Sequence, residues 1–163
     1  ATMMIPGMVL TIPQYQIMVS LNLVNTYSGL IIPAAFSAFG TFMLRQFMLG
    51  IPQSYDEAAE IDGAGHCQIF LDVILPLAKP GMITLAIFTF MGAWNDFMWP
   101  LIVLTDQEHY TLPVALATLS REHIMNVEMM MAGAVVTVVP GLALFLVLQR
   151  YYIQGLLLGS VKG

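Results

Sequence analysis

Four long hydrophobic segments follow one another along the chain, separated by the few charged residues that it contains. They cover residues 3–24, 28–47, 81–104 and 129–149. Each is close to the length of about 20 apolar residues that a helix needs to cross the bilayer core. A membrane β-barrel would alternate apolar and polar residues, whereas residues 135–148 are almost continuously apolar. The pattern predicts an all-α integral membrane protein with four transmembrane helices.

Composition agrees with the hydrophobic pattern. Of the 163 residues, 58% are hydrophobic and 9% are charged, whereas soluble domains carry about 25% charged residues. The first charged side chain is Arg45. The net charge of −5 arises from few residues and indicates little about partners, although nothing favours nucleic acid. We therefore treat residues 1–163 as one membrane domain.

The chain lacks the sequence motifs of an enzyme. Its two lysines, Lys79 and Lys162, do not follow glycine in the phosphate-binding pattern G-x-x-x-x-G-K-[ST]. Cys67 is the only cysteine, which excludes an intrachain disulfide and a cysteine-based metal cluster. His66 beside it is more simply a loop residue than a metal ligand. We expect no catalytic residue, no bound metal and no cofactor in this chain.

The positions of the basic residues predict the orientation, because short cytoplasmic loops are enriched in Lys and Arg. Four of the five cations flank the loop between the second and third segments or follow the fourth segment: Arg45, Lys79, Arg150 and Lys162. Only Arg121 lies in the loop 105–128. The loop 48–80 and the tail 150–163 are therefore predicted to be cytoplasmic, and the loop 105–128 is predicted to face outward.

Proline and glycine interrupt three of the hydrophobic segments. These residues are Pro6, Gly7, Pro13, Pro33, Gly40, Pro140 and Gly141. Proline kinks a membrane helix, and the freed backbone groups are satisfied by neighbouring helices or by a water-filled cavity. The breaks favour a transporter or a channel over a simple membrane anchor.

The cytoplasmic loop has the pattern of two short helices joined by a turn. Ser54 and Glu57 have the S-x-x-E spacing of a capping box, which predicts that a helix begins there. Gly63 and Gly65 then interrupt this helix. A second apolar stretch, 69–75, is predicted to stop at Pro76. Such a helical pair could be a docking element for another protein or a solvated connecting loop.

The loop also resembles the EAA loop of ABC importer permeases. The pattern of that loop is Glu-Ala-Ala, three residues, Gly, nine residues, Ile, one residue and Leu-Pro. The matching residues are Glu57, Ala58, Ala59, Gly63, Val73, Leu75 and Pro76. The departure is Val73 in the Ile position, which is a small aliphatic exchange.

The wider sequence resembles the carbohydrate-uptake branch of these permeases, which is the MalG-like type. The resemblance covers essentially the whole chain and includes the stretches 61–64, 93–97, 99–101, 111–114, 131–134 and 149–163. Members of this type usually have six spans. The resemblance therefore implies that this chain corresponds to their last four spans, with the first two missing, as a natural truncation or as a fragment.

The resemblance implies a transporter subunit rather than an enzyme, in the plasma (inner) membrane of a bacterium or archaeon. Its implied partners are an ABC ATPase dimer that binds ATP and Mg, a second permease subunit, an extracytoplasmic substrate-binding protein and the lipid bilayer. The residues implied to couple the permease to the ATPase are Glu57, Ala58, Ala59, Asp62, Gly63 and Ala64. The implied cargo is a sugar, an oligosaccharide or a polyol phosphate. A non-sugar cargo, and a passive channel or scaffold without an ATPase, are the alternatives.

Asp96 is the one acidic residue inside a predicted span. An ionisable side chain at membrane depth usually faces a cavity or a partner. In one interpretation, Trp94, Asn95 and Asp96 line the translocation pathway, with polar groups for sugar hydroxyls and indole rings for a sugar face. In the other, Asp96 caps a broken helix before Pro100 or pairs with the partner permease.

Overall fold

The computed structural model describes the backbone of residues 2–119 and 127–160, and the side chains of residues 3–119 and 127–147. These residues form helices and connecting turns, with no β-strand in the described ranges. The α-helices are α1 Thr11–Ser20, α2 Tyr27–Ala34, α3 Ala38–Leu49, α4 Ser54–Ile61, α5 His66–Gln68, α6 Leu75–Leu77, α7 Lys79–Trp94, α8 Met98–Val103, α9 Leu112–Leu119 and α10 Val127–Ser160. A π-helix covers Ile69–Ile74, and 3-10 turns cover Thr2–Met4, Gly7–Leu10 and Gln107–His109. The all-helical prediction is confirmed for this part of the chain.

Two of the predicted spans are long and apolar enough in the structure to cross a membrane. They are Tyr27–Leu49, with a mean hydropathy of 1.5, and Val127–Val147, with a mean hydropathy of 2.3. In the second of these helices none of the best 18-residue window is buried within the protein. Apolar side chains such as Val135, Leu142 and Phe145 are therefore exposed, as lipid-facing or subunit-facing residues must be in an isolated chain.

The other two predicted spans are not single continuous helices. Residues 3–24 form two 3-10 turns and the ten-residue helix α1, after the breaks that Pro6 and Gly7 introduce. Residues 81–104 are divided between α7 and α8, because the helix ends at Trp94 and resumes at Met98. A bent pair, His66–Leu77 with Lys79–Trp94, is a third span-length segment if it counts as one span. The number of four spans therefore stays a prediction.

The described chain folds as two compact units. The first unit contains Ala1–Ser37 and Phe90–Leu144. Its core includes Val103 and Val114, which are fully buried. Within it, the Trp99 indole Nε1 donates to the Gly29 carbonyl of α2 at 3.1 Å, which ties α8 to α2.

The second unit contains Ala38–Thr89 and Phe145–Gly163. The Phe47 ring of α3 packs directly on Gly81 of α7, where a Cβ would lie 2.7 Å from Phe47 Cγ. Phe39 and Phe88 meet edge to face, with ring centroids 6.2 Å apart. Ile69 and Ala78 are buried in this unit. These contacts hold the base of the loop 48–80 against the helices that flank it.

The loop 48–80 has the predicted helix–turn–helix form. The first helix begins at the predicted residue but for a different reason, and the second helix ends later than predicted. α4 begins at Ser54 without a capping box: Gln53 already has helical angles, and its carbonyl accepts from the N–H groups of Asp56 and Glu57 at 3.0 Å. Because the backbone supplies these acceptors, the Ser54 hydroxyl is not needed as a cap.

The second helix of the loop continues past Pro76, where the sequence predicted its end. It runs from His66 through the π-helix Ile69–Ile74 and through α6 to Leu77. Pro76 lies in the first turn of α6, where a proline is tolerated. The chain then bends by 67° into α7. The direction changes at the buried Ala78, two residues beyond the predicted stop at Pro76.

Candidate functional site

The turn of the loop depends on Gly63. Gly63 has a φ of +83°, a left-handed conformation that costs other residues free energy. Its N–H donates to the Glu60 carbonyl, and the Ala64 N–H donates to the Ala59 carbonyl, both at 3.0 Å. These two bonds form a Schellman motif, which satisfies the last carbonyls of α4 and reverses the chain.

Four of the six predicted coupling residues line one groove beside this turn. The groove has a volume of about 240 Å³. Its lining residues are Ala59, Asp62, Gly63, Ala64, Gln68, Asp72 and Val73. Two carboxylates and no basic side chain face this groove, which therefore suits a partner that presents basic or hydrogen-bond-donating groups.

The remaining two coupling residues, Glu57 and Ala58, are exposed on α4. Sequence reasoning missed their apolar neighbour Ile61, which is 86% exposed at the end of the same helix. Tyr55, at the start of the helix, is 48% exposed. Tyr55 and Ile61 thus give α4 exposed apolar surface beside its acidic residues.

Asp96 lies in the break between α7 and α8 and faces a cavity of about 510 Å³ within the first unit. The lining residues are Gln14, Leu30, Ile31, Pro33, Ala34, Ala35, Ala93, Asp96, Trp99, Pro100 and Thr111. The cap position of α8 is occupied by Phe97 without a side-chain cap bond. The described hydrogen bonds therefore give no support to the capping interpretation of Asp96. The position of Asp96 in the cavity lining agrees with the cavity interpretation.

The other two predicted pathway residues lie outside the lining of this cavity. Trp94 Nε1 donates to the Thr137 carbonyl of α10 at 2.9 Å, and its ring stacks on Phe90. Asn95 Nδ2 donates to the Met91 carbonyl at 2.8 Å, one turn back in α7. The Trp94 bond ties α7 to α10, and the Asn95 bond is made to the last turn of α7. Of this trio, the structure brings only Asp96 to the cavity.

Sequence reasoning missed two polar residues of the cavity, Gln14 and Thr111. Gln14 belongs to α1, and Thr111 directly precedes α9. Gln14 lies in no charged or motif-like stretch, and Thr111 belongs to the stretch 111–114, which the sequence linked to the family but not to a site. Only the packing of α1, α2, α8 and α9 places both at the cavity. Among the described residues, no group of three or more His, Cys, Asp or Glu side chains is placed to hold a metal ion.

Span-length helices with exposed apolar side chains, a mostly apolar cavity with a few polar side chains, and a charged helix–turn–helix are typical of an integral membrane protein of the transporter class. The sequence profile of the family described as "Binding-protein-dependent transport system inner membrane component" matches residues 1–157. The chain belongs to this family. The predicted resemblance to importer permeases is thereby confirmed.

The curated relatives carry the names of sugar and polyol phosphate transport systems. The arabinooligosaccharides transport system permease protein AraQ of Halalkalibacterium halodurans is 43% identical over 99% of this chain and 58% of its own length. AraQ of Bacillus subtilis is 37% identical over 99% of this chain and 57% of its own length. The sn-glycerol-3-phosphate transport system permease protein UgpE of Yersinia enterocolitica is 34% identical over 95% of this chain and 56% of its own length. The chain thus spans somewhat more than half the length of these relatives.

A solved structure has a similar fold. It is a chain of a bacterial ABC transporter involved in the import of the acidic polysaccharide alginate. The TM-score is 0.64 at 28% sequence identity, over 93% of this chain and 56% of that chain.

Proposed function

We propose that this chain is the membrane-spanning permease subunit of an ATP-driven importer for a sugar, an oligosaccharide or a polyol phosphate. The observation that carries the proposal is the loop 48–80. In a chain of the binding-protein-dependent family, it presents the Glu-Ala-Ala motif on a short helix that ends in a glycine turn. The names of AraQ and UgpE support the cargo class.

In this proposal the chain crosses the plasma membrane four times, in a bacterium or an archaeon. The loop 48–80 and the tail 150–163 face the cytoplasm, and the loop 105–128 faces outward. Arg121 and Lys162, on which part of this orientation depends, lie outside the described residues. The side chain of Arg150 does so as well. A second permease subunit completes the pathway, and an extracytoplasmic binding protein delivers the cargo.

The energy comes from an ABC ATPase dimer, which binds ATP and Mg, while this chain supplies the docking helix. Exposed Glu57, Ala58 and Ile61 on α4 provide a surface on which a partner can pack closely. The groove beside Gly63 provides Asp62 and Asp72 for its basic groups. Because α4 is followed by a continuous helix and the 67° bend into α7, movement of the docked helix is transmitted to a membrane segment.

The test is a charge reversal on the docking helix, Glu57→Lys, in the complete importer reconstituted in proteoliposomes. We expect loss of ATPase binding, or ATP hydrolysis without uptake, because the lysine repels basic groups of the partner. The matched control is Glu128→Lys, which makes the same charge change at an exposed position at the start of α10, on the predicted outer side.

Gly63→Pro is the second variant in this experiment, since proline cannot adopt the positive φ of the turn. The amount of each variant in the membrane and its association with the second permease separate uncoupling from misfolding. Wild-type ATPase binding and uptake in both well-assembled variants would contradict the coupling proposal.

A further inference from the structure

The cavity around Asp96 has the size and composition of a small-molecule site. Its volume of about 510 Å³ falls within the range of roughly 300–1,000 Å³ typical of ligand pockets. Its walls are mostly aliphatic, with three polar side chains at separate positions: the amide of Gln14, the carboxylate of Asp96 and the hydroxyl of Thr111. A few polar groups in an apolar wall are the usual means of orienting a ligand.

These polar groups are not used by the protein itself. Thr111 Oγ1 is shielded from solvent and has no hydrogen-bond partner among the described residues. Neither the Gln14 amide nor the Asp96 carboxylate has a hydrogen-bond partner among the described residues. Gln14 and Asp96 together offer one amide and one anionic acceptor to a ligand that carries several hydrogen-bonding groups.

Trp99 offers the same cavity an aromatic surface in a fixed position. Its indole N–H is already donated to the Gly29 carbonyl of α2, so the ring cannot turn without breaking that bond. What remains available to a ligand is the ring surface, against which an apolar C–H face can pack. A ligand with hydroxyls around its edge and C–H groups on its face matches both features.

The charge of the cavity excludes a class of ligand. Among the residues that the structure describes, Asp96 is the only ionisable side chain in the lining, which there has no Lys, Arg or His. A phosphate or carboxylate would meet a like charge without a counter-ion in a largely apolar surrounding. The N-terminus of α9 does not offset this repulsion: neither Leu112 nor Val114 lines the cavity, and Pro113 has no N–H.

We propose that this cavity binds an uncharged, polyhydroxylated ligand, a neutral sugar unit, and disfavours phosphorylated or uronic-acid cargo. This inference rests on the proposed import function and narrows its cargo class. Hydroxyl groups donate to Asp96 and exchange hydrogen bonds with the Gln14 amide, and the sugar face packs on Trp99.

The test measures thiol reactivity in the assembled importer, in a Cys67→Ser background that removes the single native cysteine. Gln14→Cys places a thiol in the cavity, and Gln16→Cys places one on an exposed position of the same helix. Each is treated with a cationic and an anionic methanethiosulfonate of similar size. We expect the cationic reagent to modify Gln14→Cys at least about tenfold faster, and Asp96→Asn to abolish this preference. Gln16→Cys should not respond to Asp96→Asn.

The ligand is then probed by protection with arabinotriose, which is neutral, and with sn-glycerol 3-phosphate, which is anionic. Arabinotriose should slow modification of Gln14→Cys and leave Gln16→Cys unchanged. An unreactive Gln14→Cys, no charge preference, or protection by glycerol 3-phosphate alone would overturn the proposal. ATP-dependent uptake by the Cys67→Ser complex, in which the cavity is unchanged, reports separately on the import function. Normal uptake with failed protection contradicts only the neutral-sugar site, whereas protection without uptake contradicts only the import function.

Discussion

Gly63 is the residue on which the shape of the docking element depends most directly. Its φ of +83° places it in the left-handed region, and no other atom lies within 4 Å of the position where a Cβ would stand. The need for glycine is therefore conformational and not steric. Gly65, two residues later, has a φ of −76° and equally open surroundings, so an alanine fits there without strain.

This difference gives a matched pair of substitutions. Gly63→Ala should destabilise the turn by about 1 kcal/mol, because alanine in the left-handed region is strained. It should also lower substrate-stimulated ATP hydrolysis in reconstituted importers. Gly65→Ala should behave as the wild type. Equal activity of the two variants would show that the turn geometry of Gly63 does not matter for coupling.

Individual residues differed in how far the sequence could predict them. The Glu-Ala-Ala motif and Gly63 follow one another within a few positions, so their spacing was enough to predict a helix and a turn. Trp94 and Asn95 were grouped with Asp96 because they are adjacent in sequence. The Trp94 indole, however, bonds to Thr137 of a distant helix, and Gln14 and Thr111 reach the cavity only through tertiary packing.

At the scale of elements, a side-chain clamp joins two loops of the first unit. Asn25 lies between α1 and α2 with a φ of +60°. Its Oδ1 accepts from the N–H groups of Thr105 and Asp106 at 3.0 and 3.1 Å, and its Nδ2 donates to the Asp106 carboxylate at 2.6 Å. The turn after α8 is thereby fixed to the turn before α2.

Asn25→Ala should therefore lower the stability of the purified permease by roughly 1–2 kcal/mol, since three hydrogen bonds are lost at a partly exposed site. Asn22→Ala is the control, because Asn22 also has a positive φ, of 55°, in the same loop but takes no part in the clamp. Denaturant unfolding in detergent compares the two. A loss no larger than that of Asn22→Ala would show that the clamp contributes nothing.

Helix type was predictable from the hydrophobic pattern, whereas helix continuity was not. Val127–Val147 and Tyr27–Leu49 agree with two predicted spans, since long apolar stretches leave few other structures. The break at residues 95–97 and the continuation of a helix through Pro76 were not predicted. Both depend on where backbone groups find partners, which composition does not specify.

At the scale of the whole molecule, the described chain combines helices that expose apolar side chains with a charged helical loop at residues 48–80. Family membership and the relatives' names agree with an importer permease. Two sites carry the proposed function. The loop 48–80 receives movement from an ATPase, and the cavity around Asp96 holds the cargo. The proposed function depends most on the claim that the loop 48–80 docks the ATPase on the cytoplasmic side.

The most direct test of that claim is proximity cross-linking in the assembled importer. In the Cys67→Ser background, Ala58→Cys places a thiol on the exposed face of α4, and Glu108→Cys places one in the predicted outer loop. Both are treated with a short thiol-to-amine cross-linker. We expect that Ala58→Cys captures the ATPase subunit and that Glu108→Cys does not. Capture of the ATPase through Glu108→Cys, or no capture through Ala58→Cys in an active importer, would contradict that claim.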